Sequence, residues 1–201
     1  GSFDGPLSAF NPIAASNNWF GVRNRTRDDR GWTFLIHDAE HSLGSWPSNT
    51  VDRTGPIWGG TVAEQESFAR SNPQYLHQYL ANNNEYKLRF ADAAQRELFN
   101  SGALTNNSVL SRLATRKNTV ADVINAEAAR WGDAQQASPV GMTRWQTEVN
   151  YQKNTYLPGR TATVLSQLQS QNLYPTVTAP NFNQHGGNVA LGFQFTMTAP
   201  A

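Results

Sequence analysis

Apolar and polar positions divide the chain into a strand-like start, a helical middle and a strand-like end. Trp19 to Arg25 and Trp32 to His37 are rich in aromatic and β-branched residues, and Thr26 to Gly31 between them supplies the Asp, Arg and Gly of a turn. This pattern predicts a β-hairpin. The run Thr33-Phe34-Leu35-Ile36-His37 is apolar until its last residues, so its strand is expected to be buried, with the polar cluster Asp38-Ala39-Glu40-His41 beginning where the strand leaves its sheet. A long loop follows: in SWPSNTVDRTGPIWGG, Pro47, Pro56 and the Gly59-Gly60 pair exclude regular structure.

From about Asn72 to Leu173 the apolar period becomes helical. Asn72-Pro73 is a cap and first-turn signal, and Leu88, Phe90, Ala94, Leu98 and Phe99 share a helix face until Gly102. Thr105 to Trp131 predicts a longer helix with Val109, Leu110, Leu113, Val120, Val123 and Ile124 toward the core, closed by Gly132. Thr143 is placed to cap a helix bearing Trp145 and Val149, Pro158-Gly159 breaks it, and Val164, Leu165 and Leu168 mark the last helix. After Pro175 the period changes to two, with Phe193, Phe195 and Met197 alternating with Gln194, Thr196 and Thr198. The expected fold class is therefore α+β, mainly helical, with a hairpin before the helices. Residues 1–175 are expected to form one domain, and 176–201 the first strands of another.

Composition narrows the partners more than the fold. Sixteen basic and fifteen acidic residues in 201 give a net charge of +1, which offers no electrostatic footprint for nucleic acid or an anionic membrane. The chain has no cysteine, which excludes disulfides and thiolate metal sites together. No apolar run approaches the roughly 20 residues of a membrane span. Abundant Asn, Gln, Ser and Thr suit an extracellular or cell-surface protein, and the first residues show no signal peptide. His37 and His41 flank Glu40 at a spacing that invites zinc. HDAEH lacks the H-E-x-x-H order, however, and follows a strand, so no helical convergence of ligands is expected.

The ordered motifs carry a family resemblance. A Phe3-Asp4 pair, an Asn17-Asn18 pair opening the first strand, and an acid-x-acid element (Asp38-Ala39-Glu40) closing the second resemble the spore-coat CotH-type kinase family. SNPQYLHQYL, NEYKLRFADAAQRELFNSGALT, AEAARWGD and NFNQHGGNV follow in the family's order, so the resemblance covers most of the chain. It implies the helical C-terminal lobe of an atypical protein-kinase-like fold, with the hairpin carrying the active-site acids and a chitobiase-terminal type β-sandwich beginning after residue 175. The implied activity is transfer of the γ-phosphoryl of ATP, with magnesium or manganese, to Ser or Thr hydroxyls of a protein, by a secreted bacterial enzyme. Carried over by motif, Asp4 is the catalytic aspartate, Asn17 or Asn18 a cofactor-binding asparagine, and Asp38 and Glu40 the metal-binding acids.

Phosphoryl transfer also needs a cation on the phosphates, which kinases place in the N-terminal lobe. Lys87, Lys117 and Lys153 are the only lysines, and all lie in the helical region. The chain is therefore expected to be one lobe of a larger protein and a poor enzyme by itself. A different class of function is a catalytically silent extracellular binding or adhesion module on a kinase-like frame, with carbohydrate or surface contact through downstream domains.

Overall fold

A computed structural model describes residues 5–6, 15–27, 31–39, 42–43, 52, 54–57, 59–134 and 137–200. The fold is mixed α+β, about half helical, with two small antiparallel sheets. Strands β1 (Trp19–Arg23) and β2 (Trp32–Ile36) form the expected hairpin, in a register that sets Trp19 opposite Ile36 and Arg23 opposite Trp32. Six helices follow: α1 (Val62–Ser71), α2 (Pro73–Leu80), α3 (Asn84–Leu98), α4 (Asn106–Trp131), α5 (Met142–Tyr151) and α6 (Arg160–Ser170). Strands β3 (Asn181–Phe182) and β4 (Met197–Thr198) are two residues each.

Local chemistry explains most helix boundaries. Thr61 and Glu64 cap α1 reciprocally, each side chain meeting the other's backbone N–H. That box announces a helix the hydrophobic pattern did not reveal. Asn72 caps α2 through Gln74 N–H at 2.9 Å, with Pro73 in the first turn. Asn83 and Thr105 cap α3 and α4 in the same way. After α3, Gly102 is required: a Cβ there would stand 2.3 Å from the Arg96 carbonyl oxygen. Thr143 does not serve as a cap, because α5 already begins at Met142 behind Gly141, with no side-chain cap bond. A single π-helical turn over Gln152–Tyr156 extends α5, and Gly159, at φ 75°, then starts α6.

The core lies where α3 and α6 meet. Leu98, Leu168 and Leu173 are buried together, with Phe90, Ala94, Phe99, Val164, Leu165 and Tyr174 packed around them. Phe68 of α1 is fully buried, its ring edge-to-face with Tyr75 of α2 and the ring centres 5.5 Å apart. Gln78 is buried too, and its amide bonds both ways with the backbone of Ile57, accepting from the N–H at 2.9 Å and donating to the carbonyl at 3.3 Å. That amide takes the place of a β-ladder neighbour and fixes the loop onto α2.

Two expectations about burial are corrected. β2 is exposed at all five positions, Ile36 to 81%, because the ladder of a two-stranded ribbon forms between its own strands and does not require either face to be covered. Likewise α4 has no buried residue, and Val120 and Val123, expected in the core, face solvent along a helix that α5 only partly covers. The C-terminal alternation gives extended chain with little ladder. Its bonds are local, such as Thr196 N–H to Asn183 at 2.9 Å and the Asn183 amide to the Gln194 carbonyl at 2.7 Å.

Candidate functional site

The open end of the hairpin gathers the predicted residues that fall within the described chain. Beyond the last ladder pair, His37 N–H donates to the Asn18 carbonyl at 3.0 Å, so Asn17-Asn18 stands across from His37-Asp38. Asn18 and Asp38 both have left-handed backbone, φ 56° and 51°. Asn and Asp tolerate that region better than other side chains, and one such residue on each strand, just past the last ladder pair, marks a chain turned away from the ladder on both sides. Asp38 is exposed and the two asparagines are half-buried. The ring of Phe20 lies edge-on to His37 at 5.1 Å.

Pro6 ties this end to the helical body. Its carbonyl accepts from Asn17 N–H at 3.0 Å and from the Asn72 side-chain amide at 2.9 Å. Asn72 is buried and also caps α2, so a single side chain starts a helix and holds the segment that borders the hairpin. Ser16 adds a bond from its hydroxyl to the Ser71 carbonyl. Gly5 packs against Asn18, where a Cβ would lie 3.4 Å from the asparagine's own. Asp4 and Glu40, expected as catalytic base and second metal acid, lie outside the described residues, as does His41. Asp4 directly precedes Gly5 in the chain.

Chemically, carboxylate and amide oxygens are hard donors, the type magnesium and manganese select. Asp38, Asn17 and Asn18 carry such oxygens and stand at the paired ends of the two strands. Among the described residues no three His, Asp or Glu side chains cluster as a ready metal site.

A second polar feature escaped the sequence reading. His77 Nδ1 lies 2.6 Å from the Tyr86 hydroxyl, joining α2 to the first turn of α3. Burial pushes the His77 imidazole below its ordinary range and the Tyr86 phenol above its own, so both are neutral near pH 7. The pair lines an apolar groove of about 350 Å³ with Pro6, Phe34, Leu76 and Leu80, which runs from β2 to α2. Nothing in the local sequence signals the pairing, because His77 and Tyr86 sit on different helices.

Comparison with family models, curated proteins and solved structures found no match for this chain. No helix among the described residues is long and apolar enough to cross a membrane.

Proposed function

We propose that this chain is the helical lobe of a secreted, CotH-type kinase-like domain that transfers the γ-phosphoryl of ATP to Ser or Thr hydroxyls of a protein. The observation carrying the reading is the convergence of Asn17-Asn18 with Asp38 at the open end of the hairpin, Asn18 and Asp38 both in left-handed backbone. A carboxylate and an amide held at one strand end suit an ion that keeps several waters and takes its remaining ligands from phosphates. ATP with magnesium or manganese would supply the phosphoryl group. In this reading Asp38 and Glu40 hold the ion, Asn17 or Asn18 adds an amide oxygen, and Asp4 accepts the proton of the acceptor hydroxyl. Residues 176–201 are read as the beginning of a following β-sandwich.

Lys87, Lys117 and Lys153 fall in α3, α4 and the π turn, whereas kinases anchor the phosphates from the N-terminal lobe, so in this reading the phosphate cation comes from outside this chain. Binding by this chain alone is accordingly expected to be weak. Manganese titrated calorimetrically into the protein with ATP should give a weak isotherm that disappears in Asp38→Asn while the melting temperature holds. An unchanged isotherm in that variant rejects the metal role of Asp38, and the phosphoryl-transfer reading with it.

One observation favours a silent binding module instead. Trp32 and Ile36 leave 60% and 81% of their surface open on a hairpin whose two faces are both apolar. If the metal titration is blank, this face becomes the principal functional feature.

A further inference from the structure

Helix α4 carries a stripe whose inner four residues, Arg116, Val120, Val123 and Glu127, are self-complementary. Val109, Leu113, Arg116, Val120, Val123 and Glu127 recur at alternating steps of four and three, the spacing of a coiled-coil seam. None of the six is buried, and Val120 and Val123 are 36% and 58% exposed. At 26 residues the helix is about 39 Å long, enough for several seam layers.

The charges choose the partner and its direction. Arg116 has only Arg112, Leu113, Thr119 and Val120 three or four residues away on its own helix; Glu127 has Arg130 three residues on, but that guanidinium lies over the Trp131 ring. Neither forms an ion pair among the described residues. We propose that two copies of this chain associate through α4, antiparallel about a two-fold axis between Ala121 and Asp122. That axis sets Val120 against Val123 of the second copy and Arg116 against Glu127 of the second copy. By symmetry each pairing occurs twice, which is the condition for an isologous interface. A parallel arrangement would instead stack Arg116 on Arg116 and Glu127 on Glu127.

The neighbourhood extends the contact. Glu127 and Trp131 border a groove of about 340 Å³ between α4 and α5, lined across from them by Arg144 and Trp145. Trp131 is 54% exposed, with the Arg130 guanidinium 5.0 Å from its ring centre. A second α4 laid along the seam would cover this edge and add aromatic surface to the interface.

Sedimentation equilibrium and light scattering test the proposal on the chain as it stands. The protein is expected to dimerise in the micromolar range, and Arg116→Glu or Glu127→Arg alone should weaken the dimer at least about tenfold, since each places like charges opposite twice. The double variant Arg116→Glu/Glu127→Arg should regain the dimer. Mixing the two single variants should give a one-to-one heterodimer, a result that misfolding could not produce. A monomer at about 100 μM, or a dimer indifferent to both single substitutions, overturns the assignment.

Discussion

The hairpin and the α3–α6 core put similar apolar content to opposite use. In the core, Leu98, Leu168 and Leu173 come from distant parts of the chain and bury one another, with rings and aliphatic side chains around them. In the hairpin, Trp19, Trp32, Phe34 and Ile36 share one face and Phe20, Val22 and Leu35 the other, and β2 stays exposed throughout. Trp19 and Phe34 touch edge to face at 5.7 Å, so the ribbon has pairwise contacts but no buried layer. Strand pairing is a local transaction of hydrogen bonds and register. Burial needs a second element, and among the described residues it is the helices that bury one another. The candidate site residues Asn17, Asn18 and Asp38 therefore sit on the less supported half of the molecule, held to the better packed half by Pro6, Ser71 and Asn72.

The contrast is broken most directly by truncating one apolar side chain in each half. Leu168→Ala should cost about 2–4 kcal/mol by urea denaturation, because it removes packed methyl groups from the centre of the core. Ile36→Ser should stay within about 0.5 kcal/mol, because the side chain is already in water. Equal losses would mean that the hairpin is as buried as the core.

The joint between the halves comes next. Asn72→Ala should cost about 1–2 kcal/mol, combining a lost helix cap with a lost bond to the Pro6 carbonyl. Asn72→Asp keeps an acceptor for Gln74 N–H but no donor for Pro6, so it should recover only the cap. If Asn72→Asp weakens manganese binding while α2 stays capped, the Pro6 link transmits order to the hairpin.

A smaller effect depends on pH. Since burial holds His77 below its ordinary range, the folded state binds its proton less readily than the unfolded chain. Its contribution is complete above the unfolded value near 6.5 and is lost as pH falls toward the folded value. Melting temperature should therefore decline between neutral and mildly acidic pH, and decline less in His77→Gln. Parallel profiles for the two proteins would remove His77 from the account.

The smallest change is expected from truncation after Pro175. The bonds of β3 and β4 are local, and Val177, Leu191, Phe195 and Met197 are exposed. The melting temperature should move by less than the few degrees that about 1 kcal/mol produces in a chain of this size. A larger fall would mean that Phe182, which shares a groove with Phe99 and Phe195, completes the helical body.

Sequence by itself determined the features whose causes are local. The hairpin and its turn follow from β-branched and aromatic runs around Asp, Arg and Gly, and Asn72-Pro73, Thr105 and Pro158-Gly159 mark real helix boundaries. The capping box of Thr61 and Glu64 was equally legible, although hydrophobic periodicity passed over it. The pairing of Asn17-Asn18 with His37-Asp38 needed only the hairpin register. Tertiary structure alone decided what covers each apolar face. Periodicity shows that a helix or strand has such a face, but burial depends on whether another element reaches it: α6 reaches Leu98 of α3, while nothing among the described residues buries β2 or the seam of α4. The His77–Tyr86 pair and the double role of Asn72 were decided in the same way, because each joins groups whose proximity exists only once the helices have docked.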